Sequence, residues 1–279
     1  MLAAGLAALA LLAPAPGWYA VAKGPAGGAV WEGRIPDQFV HADRRPSAVY
    51  LPPGYDPAHR YPAIYLLHGM RGSPASFWSG LHFARVADGL IASRRVRPFI
   101  AVMPVAGPRV NPDAGEWAGV WEDYTVRDVV PWVDRHLRTV ASPAGRALEG
   151  LCAGGYGAVD IGLRHPGIFG TLGSWEGYFA PVFRDGPFVH ATRAYLAAHD
   201  PALLVRRDAR ALDRDGVRFY ISAGGNHAGV LGRWSVSFAR ELGSLRLQHD
   251  LWLLPRAERG HFWRATLPSA LEYAAAAFR

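Results

Sequence analysis

The chain has 279 residues, half of them hydrophobic, with ten tryptophans, one cysteine and a formal net charge of +7. That length supports one large domain or two small ones, and a lone cysteine excludes an internal disulfide or a cysteine-cluster metal site. The basic residues are nearly all arginine, scattered in pairs such as Arg44-Arg45, Arg94-Arg95 and Arg206-Arg207; with no longer run, the charge argues against nucleic-acid binding and for a mild attraction to anionic surfaces.

Met1 to Leu12 is almost wholly apolar, and Ala20-Val21-Ala22 has the small-x-small form of a signal-peptidase site. The run lacks a basic n-region and is too short to span a bilayer. Residues 1–22 are read as an export signal or membrane stub, with an apolar arm packed on the domain as the alternative. Residues 23–36, rich in Gly and Ala, are expected to be a linker, and residues 37–279 a single domain.

From residue 37 strands alternate with helices. Strands are expected at 47–51, 63–67, 99–103, 146–149, 170–174, 217–222 and 251–254, and helices at 124–138, 156–163 and 268–278. Continuous apolar strands separated by helices imply a mostly parallel sheet covered on both faces, the α/β class. Sites in such sheets lie at the carboxyl ends of strands. Segment 178–216 breaks the rhythm and is expected to cap the site.

Gly150-Leu151-Cys152-Ala153-Gly154 has the layout of a nucleophile elbow, G-x-S-x-G, with sulfur in place of the serine oxygen. A strand before it and a helix after it are the context that motif needs, and the helix N-terminus favours a thiolate. The bland alternative is a buried, inert cysteine in a glycine-rich turn. A nucleophile needs a base: His261 follows the last strand beside Gly260, in the chain order of an α/β-hydrolase. An oxyanion hole needs two backbone N–H groups. The residue after the nucleophile, Ala153, supplies one; the His68-Gly69-Met70-Arg71-Gly72 loop supplies the other, from Met70 or else Gly69.

Tyr65-Leu66-Leu67-His68-Gly69, Trp121-Glu122-Asp123-Tyr124 leading into Val129-Val130-Pro131-Trp132, the elbow with Gly155-Tyr156-Gly157-Ala158, and Gly260-His261-Phe262-Trp263 together resemble the putative-esterase family of α/β-hydrolases. That family includes S-formylglutathione hydrolases (esterase D) and secreted mycolyltransferases. The resemblance spans roughly residues 45–279. It implies the α/β-hydrolase fold and acyl transfer from an ester or thioester to water or an alcohol.

The chain departs from that pattern in three places. The nucleophile is Cys152. The turn after strand 217–222, where relatives carry the acid, reads Gly224-Gly225-Asn226-His227. After strand 170–174, Glu176-Gly177 stands where a Ser-Gly pair is common. Either Glu176 or Asn226 is then the third member that orients His261. His68, Arg71, Trp121, Tyr156, Trp175, His227 and Trp263 are expected to line the substrate pocket, with Trp78, Trp117 and Phe179 as further aromatic candidates and Asp123 and Arg127 as polar ones. Core packing is the alternative for each aromatic. No zinc-type histidine spacing, P-loop or dinucleotide fingerprint occurs, so no cofactor is implied. The expected partner is a small-molecule, lipid or glycolipid acyl substrate, with possible association at a membrane surface. A non-catalytic binding module, or a serine esterase whose nucleophile was replaced by cysteine, are the competing readings.

Overall fold

The computed structural model describes residues 13–40, 45–107, 117–182, 188–224, 229–254 and 259–278. Its strands are β1 (Tyr19–Lys23), β2 (Ala29–Gly33), β3 (Ser47–Leu51), β4 (Ala63–Leu67), β5 (Ile100–Met103), β6 (Arg146–Leu151), β7 (Thr171–Trp175), β8 (Arg218–Ala223) and β9 (His249–Leu253). They form one sheet in the order β1-β2-β3-β5-β4-β6-β7-β8-β9. The first four strands of that order pair antiparallel, and β5 through β9 pair parallel. Every residue of β4, β6 and β7 is buried, as expected where helices cover both faces of a parallel sheet. This is the α/β-hydrolase fold.

The helices are α1 (Phe83–Ala92), α2 (Val120–Asp123), α3 (Val130–His136), α4 (Ala153–Arg164), α5 (Arg193–Ala198), α6 (Pro201–Arg214), α7 (Val230–Ser244) and α8 (Arg259–Ala277). On one face Val133 of α3, Val159 of α4, Leu204 of α6 and Phe238 of α7 pack with Tyr65 and Leu67. On the other, Phe83 and Leu90 of α1 and Leu267 and Leu271 of α8 pack with Ile64 and Leu66. Alternate residues of β4 thus serve opposite cores, as the two-residue period of a strand requires.

Four expectations need correction. Residues 23–36 are no linker: they carry β2, whose Val30 and Trp31 are buried, and the turn before it donates Ala26 and Gly28 N–H groups to the buried Asp88 carboxylate of α1. Ala20-Val21-Ala22 lies on β1, and Trp18 just before it stacks on Trp132 at 5.2 Å. The helix expected at 124–138 begins at Val120 and passes through a wider, π-type turn at Tyr124–Val129 before α3. The last helix begins at Arg259 and carries Pro268 within it. Finally, the expected cap 178–216 is smaller: α6 buries Leu204, Val205 and Leu212 as an ordinary covering helix, N-capped by Asp200 with Pro201 in its first turn. Among the described residues, no helix is long and apolar enough to cross a membrane.

Candidate active site

Cys152 links β6 directly to α4, with φ 54° and ψ −117°. A β-carbon in that region is strained, and such strain persists only where the surroundings fix it. They do so here. The Cys152 N–H donates to the Trp175 carbonyl at 3.0 Å, and the carbonyl of Cys152 accepts the N–H groups of Gly155 and Tyr156. The glycines of the motif are required by space: a Cβ on Gly154 would overlap the Leu67 carbonyl, and one on Gly150 would overlap the backbone of Gly154. Gly154→Ala is therefore expected to destabilise the protein by about 3 kcal/mol or more, as overpacking against rigid backbone does. Thermal unfolding would show it, and an unchanged Tm would mean that the elbow is looser than described.

The His68-Gly69 loop lies against the elbow. A Cβ on Gly69 would stand 3.3 Å from the Cβ of Cys152. His68 braces this loop. Its Nδ1 donates to the Gly69 carbonyl at 2.9 Å, and its Nε2 accepts the Ala106 N–H at 3.1 Å. Burial lowers its pKa to about 4, so the ring is neutral and its tautomer is fixed by these two partners. Trp117 meets the ring edge-on and donates Nε1–H to the His68 carbonyl. With both nitrogens engaged, His68 shapes the loop and presents no nitrogen to a substrate. Met70 is half-buried against a cluster that includes Ala153. Ala153 and Met70, two of the oxyanion candidates, thus share one apolar cluster.

Glu176 follows β7 as Cys152 follows β6. It has φ 56°, and its N–H donates to the Ser222 carbonyl of β8 at 2.8 Å. The fold therefore places Cys152 and Glu176 at adjacent strand ends. His261 stands exposed on the first turn of α8. The neighbouring Phe262 is buried against Gly224 at the end of β8, and Trp263 packs on the cluster that Cys152 also touches. The start of α8 is thereby held at the strand ends, on a helix where a loop was expected. Asn226 and His227 lie outside the described residues. Arg71 is exposed in the loop with φ 59°.

Several expected pocket aromatics are core residues. Trp175 is fully buried and donates Nε1–H to Glu149 at 3.0 Å. Trp121 is buried edge-on to Tyr124. Tyr156 is buried, stacks on Tyr178 at 4.8 Å, and donates its hydroxyl to the His199 carbonyl. Trp78 is half-buried and donates to Glu32.

Two buried polar groups went unnoticed in the sequence. Glu149, three residues before Cys152, is fully buried in β6. A buried network also joins Glu122, Arg164, His165, Asp160 and His199. Glu122 Oε1 accepts from Arg164 Nε at 2.8 Å and lies 2.7 Å from His165 Nε2, while His199 Nδ1 lies 2.7 Å from Asp160 Oδ2. Burial raises the Asp160 carboxyl to about 6. For Glu122 burial also pushes upward, but His165 and Arg164 outweigh it and hold the carboxyl below its usual value. The only advance signal was helical spacing: Tyr156, Asp160 and Arg164 recur every four residues on one face of α4.

A sharp strand-to-helix turn with a positive-φ nucleophile candidate, on a nine-strand mostly parallel sheet, defines an α/β-hydrolase. The family model described as "Putative esterase" matches residues 41–255, and the chain belongs to that family. It is 34% identical over 149 residues to Esterase Rv1288 of Mycobacterium tuberculosis, covering 51% of this chain and 31% of that protein. It is 32% identical over 137 residues to an endo-1,4-beta-xylanase/feruloyl esterase of Xylanibacter ruminicola, covering 46% of this chain and 19% of that protein. The matches thus span less than a third of either relative's length. Among solved structures, a ferulic acid esterase superposes with TM-score 0.78 at 20% identity, covering 90% of this chain and 99% of its own. An S-formylglutathione hydrolase from Agrobacterium tumefaciens superposes with TM-score 0.72 at 18% identity, covering 94% of this chain and 99% of its own.

Proposed function

We propose that this chain is an esterase-type hydrolase that works through an S-acyl intermediate on Cys152. The carrying observation is the strained backbone of Cys152 at the head of α4 with the Gly69 loop against it. The thiolate attacks the carbonyl carbon of an ester or thioester. The resulting oxyanion takes the N–H groups of Ala153 and Met70. Collapse expels the alkoxide or thiolate leaving group, which receives the proton that His261 took from the thiol. Water then attacks the thioester with His261 as base, which releases the acid and restores the thiol. Family membership supports ester hydrolysis, and the half-buried Met70, Tyr195 and Trp234, packed on a buried cluster that includes Ala153, support an apolar, aromatic-lined acyl site. Ferulate esters and S-formylglutathione, named for the structural neighbours, are the first substrates to assay.

Iodoacetamide labelling followed by intact mass tests this reading. Rapid modification of Cys152, slowed by His261→Ala, is the expected result. A thiol that stays unreactive would point instead to a binding module on this scaffold. Glu176 is the proposed orienting carboxylate, supported by its position at the strand end next to Cys152. Glu176→Gln should lower the acylation rate by ~10²-fold or more, following triad precedents. If the loss appears in Asn226→Ala and not in Glu176→Gln, the orienting group is the amide.

A further inference from the structure

The segment between Phe188 and His199 has little core of its own. Thr192 caps α5, yet none of that helix's six residues is buried, and a helix so short is not stable in isolation. What holds the segment is α4, the helix that starts at Cys152. The Tyr156 hydroxyl donates to the His199 carbonyl at 2.7 Å, Asp160 Oδ2 takes the His199 ring nitrogen at 2.7 Å, and Arg164 Nη1 donates to the Ala198 carbonyl at 2.8 Å. Three side chains four residues apart on one helix face thus clasp two consecutive residues. Tyr195 lies on the His199 ring at 4.4 Å and Phe188 meets its edge at 5.6 Å. Phe188 in turn belongs to the apolar cluster with Ala153, Tyr156 and Tyr178, against which Met70, Leu231 and Trp234 pack.

The clasp therefore ties an otherwise weakly held segment to the patch beside the proposed oxyanion donors. Glu122, Asp160 and His199 each offer an atom within 4.8 Å of the others, the spacing of a metal site. The Arg164 guanidinium on Glu122 and the hydrogen bond between Asp160 and His199 instead give these groups partners within the protein.

We propose that His199 is a positioning residue for acyl-group selection. Clasped to α4, it seats the half-buried Ala191, Tyr195 and Leu196, which pack with Met70 and Trp234 on the Ala153 cluster, as the wall that receives an aromatic acyl group. This rests on Cys152 being the nucleophile. A wall that contacts the acyl group equally in ground and transition states acts on KM more than on kcat.

The test compares steady-state kinetics on 4-nitrophenyl acetate and 4-nitrophenyl cinnamate. His199→Ala should raise KM for the cinnamate by ~10-fold, the scale of a lost apolar contact surface, with the acetate KM and both kcat values little changed. His199→Asn, whose amide N–H can replace Nδ1–H toward Asp160, should restore most of the selectivity. Should His199→Ala fail to fold, Tyr156→Phe removes one hydroxyl while keeping the ring stack, and should shift cinnamate KM in the same direction. Equal shifts for both esters, or none, would overturn the proposal. So would a zinc-dependent rise in Tm in the wild type that His199→Ala abolishes, since the cluster would then be a metal site. Cys152→Ala run alongside separates the two claims: retained turnover in that variant sinks the nucleophile reading, whereas loss of turnover in it together with an unmoved KM ratio in His199→Ala sinks only the positioning role.

Discussion

Cys152→Ala is expected to reduce ester turnover by ~10⁴-fold or more, the scale on which removal of a covalent nucleophile acts when the rest of a triad remains. The fold should survive, because Cys152 is half-buried and the hydrogen bonds of its backbone N–H and carbonyl are untouched by the change. The more telling variant is Cys152→Ser. An alcohol has a far higher pKa than a thiol and depends on a base held in the right tautomer and orientation. A thiolate beside a helix N-terminus depends on it less. If the protein has settled on cysteine chemistry, with Glu176 at the neighbouring strand end and a Gly224-Gly225-Asn226-His227 sequence that carries no carboxylate, serine should restore no more than ~1% of wild-type kcat. Serine activity equal to or above wild type would mean that the site is built for an alcohol and that the sulfur is a replacement. Acyl-enzyme trapping by intact mass after exposure to a thioester reads the same question independently: the adduct should appear on Cys152 and be absent in Cys152→Ala.

The elbow was legible because its chemistry and its packing make the same demand. Gly150 and Gly154 are glycines because the backbone of β4 and of α4 occupies the space a side chain would need, and a residue pattern set by backbone proximity can be read without coordinates. The parallel core was equally plain, since strands buried on both faces are continuously apolar. The N-terminal hairpin was not. Its glycines read as linker composition, whereas Gly24 and Gly28 are small so that the Asp88 carboxylate can sit beneath the turn. That partner is some 60 residues away in sequence. The start of α8 was missed for a related reason: Pro268 looks like a helix start, but here it lies inside a longer helix whose first turn is fixed by Phe262 packing on Gly224. The aromatic pocket residues were overassigned because nothing local distinguishes a tryptophan at a strand end that faces a cleft from one that faces a core. Trp175 faces the core, and its partner there is a carboxylate in the neighbouring strand.

That carboxylate gives the second large effect. Glu149 is fully buried in β6; Oε2 accepts the Trp175 Nε1–H, and Oε1 has no hydrogen-bond partner among the described residues. Gly173 on the adjacent strand is a glycine because the Glu149 side chain fills its space. Burial pushes the Glu149 pKa from 4.5 to about 8, against a smaller opposing effect of the Trp175 hydrogen bond. The folded-state value lies above the unfolded one, so the folded protein holds a proton that the unfolded chain releases between about pH 4.5 and pH 8. Stability from this group is then greatest below pH 4.5, falls by about 1.4 kcal/mol per pH unit across that window, and is flat above it. The full difference is on the order of 5 kcal/mol. Glu149→Gln keeps an acceptor for Trp175 and cannot ionise. It should therefore be close to wild type in stability near pH 4.5 and progressively more stable up to pH 8, with an order-of-magnitude gain of 3–5 kcal/mol there. Urea unfolding of both proteins across that range measures it, the wild type serving as reference at each pH so that other titrations cancel. A stability difference that stays constant with pH would show that Glu149 ionises normally inside the fold, and hence that its carboxylate is solvated or paired. Because β6 delivers Cys152 to the site three residues later, the same comparison run on ester turnover shows whether this buried proton also steadies the elbow. Turnover that rises with stability above pH 7 would connect the two.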